Sequence, residues 1–121
     1  MALVLHWERH LALIRTALRD GNILIAHNEN HITGMLVWNR SFFSRPFIWL
    51  LGVLPAAQRR GVATMLILEV ERACAGESLF ISTNKSNARM RAFCKKLEFV
   101  ESGYLEHLDE GDPEIFFFKQ L

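Results

Sequence analysis

The sequence has little of several features that mark large protein classes. Its 121 residues include only two cysteines, Cys74 and Cys94, which are too few for a disulfide framework, and no Cys/His cluster has zinc-site spacing. No apolar run approaches the roughly 18 residues that a transmembrane helix needs. The formal net charge is only +1, so the concentrated basic excess of a nucleic-acid-binding surface is missing. We therefore expect a protein that holds no metal and binds neither a membrane nor nucleic acid.

The N-terminal residues and the overall composition indicate where the protein is found and how many domains it has. The apolar start of the chain is interrupted by His6, Glu8 and Arg9, too early for a signal peptide, so we expect a cytoplasmic protein. Half of the residues are hydrophobic, which is enough to bury one core in a chain of this length. The sequence thus predicts a single domain over residues 1–121.

Hydrophobic periodicity predicts a helix followed by a strand hairpin and then alternating strands and helices. The strand at 47–54 is apolar on both faces, which predicts a central place in the sheet, and Trp38 and Trp49 are predicted to pack in the core. A right-handed crossover joins it to a parallel strand. The predicted helices span residues 6–19, 59–75 and 86 or 87 to 97, and the predicted strands span residues 22–27, 32–39, 47–54, 78–83, 99–105 and 114–119.

The stretch from Leu51 to Ala63 is the most informative motif. An apolar strand ends at Pro55, and the turn Gln58-x-x-Gly61-x-Ala63 opens onto a helix. The first N–H groups of a helix have no partner within it and attract anions together with the helix dipole. Gly61 has no Cβ, so a phosphate can approach the main chain. The glycine patterns of Walker and dinucleotide-binding loops are absent, and the alternative interpretation is an ordinary strand-to-helix turn.

The order Leu-x-Val-x-Pro-x-x-Gln-x-x-Gly-x-Ala resembles the acetyl-CoA pyrophosphate loop of the GNAT acetyltransferase superfamily. The resemblance implies an α/β (α+β) fold: a central twisted mixed sheet with a splayed parallel strand pair and flanking helices. It also implies acetyl-CoA as co-substrate. The implied cofactor-binding residues are Leu51, Val53, Gln58, Arg59, Arg60, Gly61, Val62, Ala63, Thr64 and Asn87.

A second segment carries the resemblance toward the C-terminus. Asn87, Phe93, Lys96, Leu97 and Phe99 fall where the family has an Asn, an apolar helix face and a Lys-x-Gly-Phe ending. The family implies that the Asn side chain hydrogen-bonds the pantetheine arm, and the alternative is a simple helix cap. The chain departs from the family pattern in having Cys94 in place of a Tyr and Glu98 in place of a Gly. Asn84, at the end of the preceding strand, is more typical of a turn.

The chemistry that the resemblance implies is direct attack of a neutral amine on the thioester carbonyl. The Val53 N–H is the candidate donor to that carbonyl. Cys94 or Tyr104 is the candidate acid for the departing thiolate, although a buried hydrophobic role suits a free Cys equally. The candidate bases, each also typical of a solvated loop, are Glu29, His31, Glu106 and His107.

The family normally begins with one further strand and helix, for which this sequence has no room. The strand at 22–27 then becomes a sheet edge, which we expect to be covered by a second copy of the chain, giving a homodimer, or by residues 1–5. Arg59 and Arg60 can bind a phosphate or merely solvate a helix start. The acidic loop at 109–114 can attract a cationic amine or be a solvated turn.

Two functions from different classes remain open. The first is an N-acetyltransferase acting on a primary amine of a small molecule or a peptide. The second is a catalytically weak acyl-CoA-binding module for sensing or assembly. The cofactor loop fits both, whereas the missing Tyr and the short N-terminus favour the second.

Overall fold

The described part of the chain, residues 15–20 and 22–121 of a computed structural model, forms one mixed sheet in the order β1-β2-β3-β4-β6-β5. The strands are β1 (Ile23–Asn28), β2 (His31–Phe42), β3 (Arg45–Val53), β4 (Ser78–Asn84), β5 (Val100–Leu105) and β6 (Glu114–Gln120). The helical elements are α1, described over residues 15–20, a 3-10 turn at Pro55–Ala57, α2 (Val62–Ala73) and α3 (Ala88–Lys96). This architecture confirms the predicted fold class. The predicted helix at 6–19 lies partly outside the described residues.

The predicted hairpin of β1 and β2 is present, but β2 ends later and β3 begins earlier than the sequence predicted. Phe42 pairs with Arg45 across the tight turn of Phe43 and Ser44, which have φ of 51° and 61°. Positive φ at both central residues is typical of the type I′ turn, whose twist matches that of the flanking strands. In sequences this turn is usually marked by Asn-Gly or Asp-Gly. This turn lacks those residues, so the predicted ends at residues 39 and 47 were wrong.

The parallel pair β3 and β4 is joined only at its beginning. Phe47 pairs with Phe80 and Ile48 with Ile81, and no later residue of β3 pairs with β4. Trp49 is an extra residue on β3, because Val37 pairs with Leu50 while the neighbouring Trp38 pairs with Ile48. A bulge of this kind bends the strand and increases its twist. The strands therefore splay beyond Ile48 and Ile81, as the resemblance implied.

The two faces of the sheet bury different elements. On one face, here called the helix face, Ile48, Leu51 and Ile81 pack with residues of α2 and α3. On the opposite face, Val37 and Leu50 pack with Ala17 of α1. The side chain of Lys119 on β6 also binds the Glu71 carboxylate of α2 at 3.1 Å. Strands β2 and β3 are thus covered on both faces, as the apolar sequence of β3 requires.

Two expectations about the central elements need correction. Trp49 is 38% exposed, and its indole N–H donates to Asn39 at 2.8 Å, because the bulge turns it away from the core. Trp38 does pack against the core. Helix α2 begins at Val62 instead of residue 59, since Arg59 and Gly61 have φ of 66° and 79°, which no right-handed helix contains.

The edge position of β1 is confirmed, since β1 pairs only with β2 among the described strands. Residues 1–5, one of the two expected covers, lie outside the described residues. Coverage by a second copy stays a prediction. Slow amide exchange at Ile23 to Ala26 in a dimeric sample is the expected result, and a monomer with freely exchanging amides there would contradict it.

Gly34 lets α2 approach the sheet closely. A Cβ at this position would lie 2.8 Å from Val62 Cγ1 and 3.0 Å from the Gly52 carbonyl oxygen, closer than packed atoms allow. We expect Gly34→Ala to lower the free energy of unfolding by about 1–3 kcal/mol, the usual cost of overpacking. Denaturant titration measures the change. Val62→Ala removes the clashing methyl, so the double variant should be more stable than the two separate losses predict. A Gly34→Ala protein as stable as wild type would contradict this packing.

Candidate active site

The N-terminus of α2 has unpaired N–H groups. The first hydrogen bond of the helix runs from the Met65 N–H to the Gly61 carbonyl at 3.0 Å, so the N–H groups of residues 62–64 have no partner within it. Gly61 supplies no side-chain cap, and the first turn holds no acidic residue. At α3, by contrast, the Asn87 side chain accepts from the Met90 N–H at 3.1 Å. The start of α2 therefore favours an external anion.

Gly61 keeps the approach to this helix end open. Its φ of 79° is in the left-handed region, and a Cβ built there meets no atom within 4 Å. In front of it lies a cavity of about 550 Å³. The residues that line the cavity are Leu51, Val53, Ala57, Gln58, Arg59, Gly61, Val62, Ala63, Thr64, Asn87, Arg89, Met90, Ala92, Phe93 and Lys96.

The end of β3 is held in place from two sides. The Leu54 N–H donates to the Thr33 carbonyl of β2 at 2.9 Å, while the Gln58 side-chain amide donates to the Val53 carbonyl at 3.1 Å. Hydrogen-bonding directions alternate along a strand, so the main-chain groups of Val53 are directed away from β2 and toward β4. Because pairing with β4 has already ended at Ile48, the Val53 N–H faces the gap between the splayed strands.

The charge of the cavity wall is positive. Arg59 lies on the loop, and Arg89 and Lys96 come from α3, where a spacing of seven residues, about two helical turns, brings both side chains onto one face. No Asp or Glu belongs to the lining. Several cations beside free N–H groups suit a ligand that carries several phosphates.

The structure brings together nearly all of the residues predicted for cofactor binding. Every one of them except the exposed Arg60 lines the cavity. The sequence interpretation gave no site role to Ala57, Arg89, Met90, Ala92, Phe93 and Lys96. Helical spacing could have indicated those on α3, since Arg89, Ala92, Phe93 and Lys96 recur at intervals of three and four residues and so share a face.

The two predicted acids lie outside this lining. Cys94 is 1% exposed in the core, and burial raises the pKa of its thiol to about 12. Tyr104, on β5, is 67% exposed. The acid role stays a prediction that this placement does not favour.

The base predicted from sequence is likewise not placed at the cavity. Glu29, His31, Glu106 and His107 are exposed, and none of them lines it. In the described part of the chain, no group of three or more His, Cys, Asp or Glu side chains is arranged to hold a metal ion. None of the described helices is long and apolar enough to span a membrane.

Comparison with known proteins relates this geometry to solved structures. A structure of a GNAT family acetyltransferase from Bacillus cereus is 33% identical, with a TM-score of 0.80 over 93% of this chain and 79% of that one. Two others share the fold at lower identity. One, from Bacillus anthracis and in complex with acetyl coenzyme A, is 20% identical with a TM-score of 0.73, over 82% of this chain and 61% of that one. The other, Arabidopsis thaliana NAA60 with a bisubstrate analogue, is 18% identical with a TM-score of 0.73, over 90% and 81%.

A search of curated proteins found no match. The family model described as the acetyltransferase (GNAT) family matches residues 3–99, a span that contains both the loop before α2 and helix α3. Together with the splayed sheet and the uncapped start of α2, this match settles the classification: the chain belongs to the GNAT family of acetyltransferases.

Proposed function

We propose that this protein transfers the acetyl group of acetyl-CoA to a primary amine of a small molecule or peptide, in the cytoplasm. The observation that carries the proposal is the cavity that joins three features: the uncapped start of α2, the free end of β3 and the Asn87 side of α3. Acetyl-CoA has a part for each of them. Its pyrophosphate suits the N–H groups at Gly61 to Thr64, and its pantetheine arm suits the passage between Val53 and Asn87.

The fit to a polyphosphate ligand rests on charge and space. Arg59, Arg89 and Lys96 stand on the wall without a carboxylate among the lining residues. Charge-assisted hydrogen bonds to phosphate are about twice as strong as neutral ones. Gly61 leaves the main chain accessible, so a phosphate oxygen can reach the helix N–H groups directly.

The transfer step needs a polarised carbonyl and a neutral amine. In our proposal, the Val53 N–H donates to the thioester oxygen as negative charge develops there, and Gln58 fixes the peptide that follows. Loss of one such donor typically costs a hundred- to a thousandfold in rate. The amine nitrogen bonds to the carbonyl carbon while the C–S bond breaks. A thiol has a reference pKa of about 8.5, so the thiolate leaves without obligatory acid help near neutral pH.

The placement of Cys94 and Tyr104 outside the cavity favours one alternative, an acyl-CoA-binding module with little catalysis. Two measurements separate the functions. Thermal shift with CoA reports binding, and thiol release from acetyl-CoA across a panel of amines reports transfer. Amine-dependent release supports the enzyme, whereas a thermal shift without any such release supports the module.

Gly61 offers a sharp test of the cofactor cavity. We expect Gly61→Ala to weaken CoA binding at least tenfold, or about 1.4 kcal/mol, because the Cβ stands in the approach to the helix N–H groups. Gly111→Ala is the matched control. Gly111 also has a positive φ, 69°, and open space around it, but it does not line the cavity. Both variants should lose about 1–2 kcal/mol of stability from backbone strain. Equal CoA affinities in the two, measured by calorimetry, would refute the assignment.

The acid role of Cys94 and Tyr104 can be tested by separate substitutions. We expect Cys94→Ala and Tyr104→Phe each to keep kcat within about twofold of wild type, since general acid help is worth at least a hundredfold where it operates. Cys74→Ala, at the equally buried other thiol, controls for packing. A hundredfold loss of kcat in Cys94→Ala or Tyr104→Phe, without one in Cys74→Ala, would establish that residue as the acid.

The burial of the Cys94 thiol can be tested by its chemical reactivity. With a pKa of about 12, the Cys94 thiol is almost entirely protonated at pH 8, and only thiolate reacts readily. We expect the folded protein to react with an aromatic disulfide reagent at least a hundred times more slowly at Cys94 than the denatured chain does. Rapid labelling of Cys94 in the folded state would contradict its place in the core.

A further inference from the structure

We propose that the acceptor subsite lies on the sheet face opposite α2 and α3. It is a shelf of aromatic rings that ends at the Glu114 carboxylate, and it binds a primary amine that carries an apolar substituent. The inference rests on the proposed acetyl transfer and names its acceptor class and its base. The subsite is spatially separate from the cofactor cavity, whose lining residues lie on the other side of the gap between β3 and β4.

The aromatic shelf consists of the exposed Trp49 and the half-buried Phe42, Phe80 and Phe116. Phe47, which is buried, packs against Phe42 and Trp49 and supports them. Ring centroids lie 4.4 Å apart for Phe47 and Trp49, 5.4 Å for Phe42 and Phe80, and 5.8 Å for Phe42 and Phe116. Their strands alternate side chains between the faces, and Phe47 and Phe80 neighbour Ile48 and Ile81 of the helix-face core. The shelf is therefore on the opposite face, where Trp49 is 38% exposed. Such rings favour an apolar or aromatic substituent.

Glu114 closes the end of this shelf. It precedes Phe116 by two positions on β6, so the two side chains share a face. The Ser82 hydroxyl of β4 donates to its Oε2 at 2.7 Å, and Ser82 pairs with Phe116. Burial raises the pKa of Glu114, the Ser82 hydrogen bond lowers it, and the charges of Asp109 and Asp112 raise it again.

The splay of the sheet gives this carboxylate access to the acetyl group. Trp49 and Ser82 stand two residues beyond the paired Phe47 and Phe80, one on each side of the opening gap. The Val53 N–H faces that gap from β3. An amine lying on the shelf can thus reach a thioester held at Val53 by crossing between the strands.

Charge separates the two sides of the gap. The cofactor cavity is lined by Arg59, Arg89 and Lys96 and no carboxylate, whereas the opposite side carries Glu114 with Asp112 and Asp109 nearby. The Asp109 carboxylate accepts from the Asn84 amide at 2.9 Å, and the Asp112 carboxylate accepts from the Ser86 hydroxyl at 2.6 Å, which fixes both close to the end of β4. An anionic donor and a cationic acceptor are each drawn to their own side.

The reaction balances with Glu114 as base. The carboxylate accepts one proton from the substrate ammonium and later releases it to solvent. The neutral nitrogen then attacks the carbonyl carbon, forming the N–C bond while the C–S bond breaks. The second proton lost by nitrogen ends on the departing sulfur, so the products are the N-acetyl amine and CoA thiol.

Glu114→Gln keeps the size of the side chain and an acceptor for Ser82, but it cannot take a proton. We expect it to lower kcat/KM for 2-phenylethylamine at pH 7 by at least a hundredfold and to abolish the decline of kcat/KM at low pH. Its thermal shift with CoA should match wild type. Glu101→Gln, at an exposed carboxylate of β5 outside the acidic loop, is the control and should stay within twofold. Wild type should prefer 2-phenylethylamine over ethanolamine by at least tenfold, and Trp49→Ala should erase that preference.

These experiments distinguish failure of the acceptor subsite from failure of the proposed acetyl transfer. Turnover that is unchanged in Glu114→Gln, or a preference for ethanolamine, overturns the acceptor subsite and leaves the transferase standing. Where CoA binds without turnover, calorimetric binding of 2-phenylethylamine to the CoA complex that weakens at least tenfold in Glu114→Gln supports the subsite, and no such binding overturns it. Absence of CoA binding refutes the proposed function, and the acceptor subsite falls with it.

Discussion

The loss of pairing between β3 and β4 beyond Ile48 and Ile81 is the constraint on which the rest of this molecule depends. A parallel pair normally satisfies its main-chain groups across the whole ladder. Here the bulge at Trp49 bends β3 away, and the later main-chain groups of the strand need other partners. Gln58 supplies one, at the Val53 carbonyl, and the Val53 N–H is left facing the gap. The crossover that joins the same two strands sets the uncapped start of α2 beside that gap. The features of the site thus follow from one local departure from regular sheet structure.

In our proposal, the splay also allows one sheet to bind two ligands of opposite charge. On the helix face, cationic side chains surround free helix N–H groups. On the other face, a carboxylate terminates a row of aromatic rings. The rings and the carboxylate stand on paired strands of the sheet, whose core residues Leu79 and Phe117 are fully buried. The cationic groups stand on α3 and on the loop before α2. Rigid elements therefore position both sides, which is what a reaction between two bound substrates requires.

The sequence predicted those parts of the site that are local along the chain. The turn from Gln58 to Ala63 and the Asn87 cap each depend on residues a few positions apart, and both lie where the motif indicated. The sequence did not predict the features that depend on residues distant from one another along the chain. Ser82 and Glu114 are 32 positions apart and meet only because the β4 and β6 register opposes Ser82 to Phe116. Trp49 was misplaced because a bulge is a property of strand pairing, and the hairpin turn at Phe43 and Ser44 was missed because neither residue is a typical turn former.

We propose that the start of α2 holds the phosphates of acetyl-CoA while the end of β3 holds its thioester. Backbone amide NMR of labelled protein tests it directly, with saturating CoA compared against saturating acetyl-CoA. We expect both ligands to shift the amides of Gly61 to Thr64 alike, because the phosphates are common to both. The Val53 amide should differ between the two complexes, since only acetyl-CoA brings a carbonyl to it. Identical Val53 shifts, or unshifted amides from Gly61 to Thr64, would contradict the account.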